Sequence, residues 1–75
     1  MITIETIGVG FKEDFEMLEQ LIQEKKVEYT NYYEDYDPTP WNIVVKADSE
    51  IILDVLRTLD SKGVYYETTM GLPTC

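Results

Sequence analysis

Histidine is absent from the 75 residues, and cysteine occurs once, as Cys75. The first absence removes the side chain that most often serves as a general base near neutral pH and as a zinc ligand. The second excludes a disulfide within the chain, and no motif near Cys75 supplies a base to activate its thiol. Serine occurs only as Ser49 and Ser61, the first where a helix cap is expected and the second in a helix's last turn. Glycine is sparse too, and the spacing in IGVG matches neither phosphate-cradling pattern, GxGxxG or GxxxxGK[ST]. No catalytic residue, metal ligand set or cofactor site is therefore assigned, and the residues argue against an enzyme.

Positive charge is scarce as well. Six lysines and arginines face fifteen acids, for a net charge of −9. Residues 1–37 hold ten of the acids and three lysines, so −7 of that charge lies in the first half. Without basic patches to displace counterions the chain would repel nucleic acid, and its natural complement is a basic surface. No stretch approaches the ~20 consecutive apolar residues of a membrane span. The start MITIETIGVG lacks the basic n-region of a signal peptide, so a cytoplasmic protein with no membrane contact is expected.

What is present is a regular alternation of elements within a single domain over residues 1–75. Residues 2–8 (ITIETIG) are β-branched and mostly alternating, which predicts a strand. Residues 11–26 follow as a helix, with Phe11, Phe15, Leu18 and Ile22 at helical spacing. Glu13, Asp14 and Glu16 near its start and Lys25 and Lys26 near its end complement the helix dipole. Residues 27–33 and 41–47 read as two strands, separated by a segment in which Pro38 and Pro40 disfavour ladder pairing. Asp48 or Ser49 then caps a helix over 49–62, Gly63 ends it, and residues 64–70 form the last strand. If Trp41, Ile43, Val45 and Ala47 face the helices, then Asn42, Val44 and Lys46 line the other side. In the last strand Val64, Tyr66 and Thr68 are expected inward, and Tyr65, Glu67 and Thr69 outward.

The order β-α-β-β-α-β resembles the ferredoxin-like fold shared by ACT and RNA-recognition modules. That is an α+β sandwich, a four-stranded antiparallel sheet with two helices on one face. The resemblance implies strand order 4-1-3-2, leaving one face of the sheet without helices and open to solvent or to a second copy. RNA-recognition modules need a basic-aromatic run on the third strand; WNIVVKA has one lysine and its aromatic at the start, so the stacking platform is missing. ACT-like modules bind small ligands such as amino acids at a dimer interface. In this chain Gly8-Val9-Gly10, after the first strand, is the natural place for such a ligand, because glycine lets backbone N–H groups approach closely.

The hairpin segment TNYYEDYDPTPW carries the densest candidate surface. Tyrosine offers a large rigid contact area with a polar tip, and acids steer encounter with a basic partner. Tyr32, Tyr33, Glu34, Asp35, Tyr36 and Asp37 are the candidate partner-binding residues, joined by Glu13 and Glu16 on the first helix, where Glu19 and Glu24 extend the acidic side. Glu34, Asp35 and Asp37 do not match an EF-hand loop. In size and charge the chain is similar to phage-encoded inhibitors of the anti-CRISPR and anti-restriction type, some of which act as nucleic-acid mimics. Two expectations follow, an acidic interaction protein that blocks a basic nucleic-acid-binding surface or an ACT-like regulatory dimer.

Overall fold

The first strand sets the layout, because its apolar residues change phase along its length. Ile2 and Ile4 are even-numbered and exposed, whereas Ile7 and Val9 are odd-numbered and fully buried. Side chains alternate between faces along a strand, so the two pairs lie on opposite sides. The computed structural model describes residues 2–36 and 38–70. They form β1 (Ile2–Val9), α1 (Lys12–Lys25), β2 (Glu28–Tyr33), β3 (Trp41–Asp48), α2 (Ser49–Ser61) and β4 (Tyr66–Met70). The sheet order is β2-β3-β1-β4 with all neighbours antiparallel, which is the 4-1-3-2 order that the ferredoxin-like resemblance implies. The α+β ferredoxin-like expectation holds.

Both helices cover the face carrying Ile7, Val9, Ile43, Val45 and Ala47. Those residues share one buried cluster with Leu18 and Ile22 of α1 and Ile52, Val55 and Leu59 of α2. Cross-strand register agrees: Ile7 lies opposite Ile43, and Tyr29 opposite Val45. Asn42, Val44 and Lys46 lie on the bare face, as the alternation predicts.

The helices are bounded by different chemistry. Asp48 caps α2, its carboxylate accepting from the Glu50 N–H at 3.1 Å, and that bond draws its pKa below the usual carboxylate value. The same helix closes in a Schellman arrangement, with Gly63 at φ +71°. There the Gly63 and Val64 N–H groups donate to the Asp60 and Leu59 carbonyls, each at 3.1 Å. In α1, Phe11 is the N-cap and contributes no side-chain bond. Lys26 ends that helix in the left-handed region at φ 58°, a role usually given to glycine. Lys25 pairs with Asp54 and so ties the two helices together.

Several boundaries differ from the periodicity reading. The helix read from 11 begins at Lys12, because Phe11 is extended at φ −128° and ψ 146°. It ends at Lys25, since Lys26 leaves right-handed geometry. Val27, Val64 and Tyr65 precede their strands rather than opening them, although Val27 and Val64 still pack on the core. Alternation marks which side chains are apolar, not where ladder pairing starts. β1 gains Val9, β3 gains Asp48, and α2 stops at Ser61.

Candidate functional site

The hairpin residues divide between the two faces of the sheet. Tyr33 lies opposite Trp41 and Tyr32 opposite Asn42, so the adjacent tyrosines point to opposite sides. On the helix side the Tyr33 ring meets Trp41 edge-on at 4.7 Å, and Trp41 meets Phe15 at 5.2 Å. This aromatic row holds Tyr33 beside the first turns of α1, which carry the exposed Glu13 and Glu16. Tyr33 remains 52% exposed and is joined to the start of α1 through Trp41. Tyr32 faces the opposite direction and belongs to another surface.

Beyond Tyr33 the Glu34 N–H donates to the Pro40 carbonyl at 2.9 Å, closing the base of the loop. The Tyr36 hydroxyl donates to the Glu34 carboxylate, and Asp35 is exposed. Asp37 lies outside the described residues. On α1, Glu19 does not extend a solvated acidic face. Its carboxylate accepts from the Tyr29 hydroxyl at 3.1 Å and from Asn31 Nδ2 at 3.2 Å. Gln23 adds a bond to the Tyr29 hydroxyl at 2.9 Å, so Glu19 laces α1 to β2.

The other half of the loop makes a contact that alternation alone could not reveal. Residues 38–40 fold back over the bare face, where Thr39 is 2% exposed and Asn42 only 6%. A Cβ on Gly8 would lie 2.7 Å from Asn42 Oδ1 and 2.9 Å from Thr39 Oγ1, so only glycine fits at that place in β1. The Thr39 hydroxyl donates to Glu67 at 3.3 Å, Asn42 Nδ2 to the Pro40 carbonyl at 3.0 Å, and Tyr65 to Glu67 at 2.9 Å. The bond to Glu67 and its charge push the Tyr65 phenol up. One sequence signal did point here: a glycine inside a strand pattern marks close backbone approach, and Asn42 is the polar break in a β-branched run.

The β1–α1 turn is therefore two sites rather than one. Gly8 is filled by Thr39 and Asn42, while Gly10 stays open, since a Cβ there would meet only the Pro38 carbonyl at 3.6 Å. Next to it the N-terminus of α1, a helix of 14 residues, has no capping side chain, and Glu13 and Asp14 sit in its first turn. Among the described residues no cluster of three or more acids or cysteines is placed to hold a metal ion. No described helix is long and apolar enough to cross a membrane.

These features define an α+β module of ferredoxin-like topology with one covered and one bare sheet face. Among solved structures, the chain is similar to the regulatory subunit of aspartate kinase from Thermus flavus. The TM-score is 0.52 at 13% identity, over 92% of this chain and 50% of that one. At this identity the likeness is one of fold, and the chain spans about half the length of that subunit. No protein-family model and no curated protein matches the sequence.

Proposed function

We propose that this chain is a non-catalytic regulatory module of the ACT-like kind, working as a pair of copies and binding a small metabolite such as an amino acid at the β1–α1 turn. The observation that carries this reading is the fold likeness to an aspartate kinase regulatory subunit. The chemistry of the turn is compatible with a zwitterion. The uncapped N–H groups at the start of α1 favour a carboxylate, and Glu13 and Asp14 in the same turn supply negative charge for an ammonium group. Gly10, not Gly8, is the glycine that leaves backbone accessible. The alternative of a nucleic-acid mimic has weaker support, because Tyr32 and the acidic start of α1 lie on different sides of the sheet and no relative of that class matches.

Thermal melting against a panel of amino acids tests the reading. A ligand present at 100 times its Kd adds about 2.7 kcal/mol of stability. For a domain of this size that corresponds to a rise in Tm of roughly 10–20 °C. Gly10→Val leaves the unliganded melt close to that of the parent chain and removes the ligand-induced rise. A Tm that no member of the panel moves counts against the reading.

A further inference from the structure

We propose that the β2 edge of the sheet accepts an extended, basic segment of a partner protein as an added strand. The strand order leaves β2 at the end of the sheet, paired with β3 alone. Which of its backbone groups are spare follows from one bond. The Glu34 N–H donates to the Pro40 carbonyl, so residues 34 and 40, the next step in the β2–β3 register, form a hydrogen-bonded pair. Such pairs alternate with non-bonded ones along an antiparallel ladder. Glu28, Thr30 and Tyr32 therefore turn their N–H and C=O groups inward to β3, and Tyr29, Asn31 and Tyr33 turn theirs outward from the sheet. Among the described residues no other strand or loop backbone bonds these outward groups.

Sheets ordinarily protect such an edge with proline, lysine, a bulge or a covering segment. β2 has none of these. Its sequence is EYTNYY, its register with β3 is unbroken from Glu28 to Tyr33, and residues 30–33 are all exposed. A strand added here bonds through main chain, while side chains on alternate sides set which sequence is taken.

Charge selects the occupant. Glu19 Oε2 accepts from both the Tyr29 hydroxyl and Asn31 Nδ2, two neutral donors that hold the carboxylate against the edge without cancelling its charge. Glu16 lies one turn earlier on the same side of α1. The run from Val27 to Val45 adds four acids and no base. The nearest cations stand at the other end of the edge, Lys46 one strand in and opposite Glu28, and Lys26 at the end of α1. A residue set opposite Tyr29, Asn31 or Tyr33 shares their side of the sheet, so its side chain runs beside Glu16 and Glu19 and is basic. The residues between lie beside Thr30 and Tyr32 and are apolar. A second copy of the chain would instead set the same acids against each other.

A capped hexapeptide that alternates lysine with valine is the probe, added to the 75-residue chain with no metabolite present, so the outcome is independent of the regulatory reading. Amide hydrogen exchange is expected to slow at Tyr29, Asn31 and Tyr33 and to stay unchanged at Thr30 and Tyr32, whose N–H groups already bond β3. In fluorescence anisotropy the peptide binds saturably and loses affinity with added salt, and a peptide with its lysines in one block binds less tightly. Asn31→Pro removes an outward N–H, a change that an edge strand tolerates, and weakens binding on the order of 10-fold or more. Glu19→Gln keeps the acceptor for Tyr29 and Asn31 but weakens binding by about 3-fold. Circular dichroism checks that both variants fold, and the exchange pattern of the parent chain decides if Asn31→Pro does not. Unchanged exchange at those three amides overturns the proposal, as does equal binding of the alternating and blocked peptides. A folded Asn31→Pro chain that binds as the parent does is equally fatal. Protection of the same amides that rises with protein concentration alone gives the edge to a second copy and also overturns it.

Discussion

The two faces of this sheet are built from the same strands but by different rules. The helix-covered face is aliphatic throughout its centre, and Ile7, Val9, Ile43, Val45 and Ala47 are each 3% exposed or less. Its stability comes from area removed from water and close packing. The bare face is divided along its length. At the Gly8 end it is sealed by a returning loop, two buried polar side chains and a glutamate. At the Ile2 end it exposes Ile2 and Ile4 among Glu28, Lys46 and Asp48. One face is thus finished within the chain, and the other is finished at one end only.

Substitutions on each face sharpen the contrast, and the largest effect belongs to the covered side. Ile43→Ala removes a fully buried side chain from the central strand, at a cost of about 2–5 kcal/mol. A domain of this length has a total stability of about 4–11 kcal/mol, so urea denaturation should find this variant near its unfolding midpoint without much denaturant.

The polar end of the bare face comes next. Gly8→Ala adds only one methyl group, yet its Cβ falls 2.7 Å from Asn42 Oδ1 and 3.2 Å from the Thr39 carbonyl. Forcing the loop outward costs about 1–3 kcal/mol. Gly10→Ala, a short step along the same turn, costs far less. Equal losses from the two substitutions in parallel melts would break the distinction between a filled and an open glycine.

The smallest effect concerns Glu5, which lies on the covered side of β1 opposite Val45. Partial burial raises its pKa above the usual carboxylate value. A raised folded-state pKa means that the folded chain holds its proton more tightly than the unfolded chain. The resulting stability is complete below the unfolded value and is lost as pH rises through the folded one. Glu5→Gln should accordingly stabilise at neutral pH, by about 0.5 kcal/mol at most, and should be neutral near pH 3. A gain that persists at low pH would assign the effect to packing instead of charge.

Much of the covered face was legible beforehand, because burial leaves a period in the sequence. Phe15, Leu18 and Ile22 mark α1, Ile52, Val55 and Leu59 mark α2, and the alternation in β3 assigned its sides correctly. The candidate site was less legible. That adjacent Tyr32 and Tyr33 must point opposite ways follows from strand geometry, but which of them shares the helix side with Trp41 depends on the β2–β3 register, a matter of tertiary pairing. Glu19 reads as one more solvated acid until Tyr29 and Asn31 are placed beneath it. The return of Thr39 over Gly8 leaves almost no local trace, since its partners lie in β1, β3 and β4. Polar contacts between distant segments have no period, and so alternation cannot report them.

The strand order carries a last consequence for how far the molecule can be divided. Although β1 and β2 are consecutive strands in sequence, they do not pair with each other, because β3 lies between them. Val9 finds its partners in Trp41 and Tyr66, both beyond the hairpin loop. A chain cut within the loop therefore yields a leading piece that owns two strands with no ladder between them. The trailing piece likewise holds β3 and β4 without the β1 that separates them. Neither piece can assemble any part of the sheet alone, and only their recombination restores it.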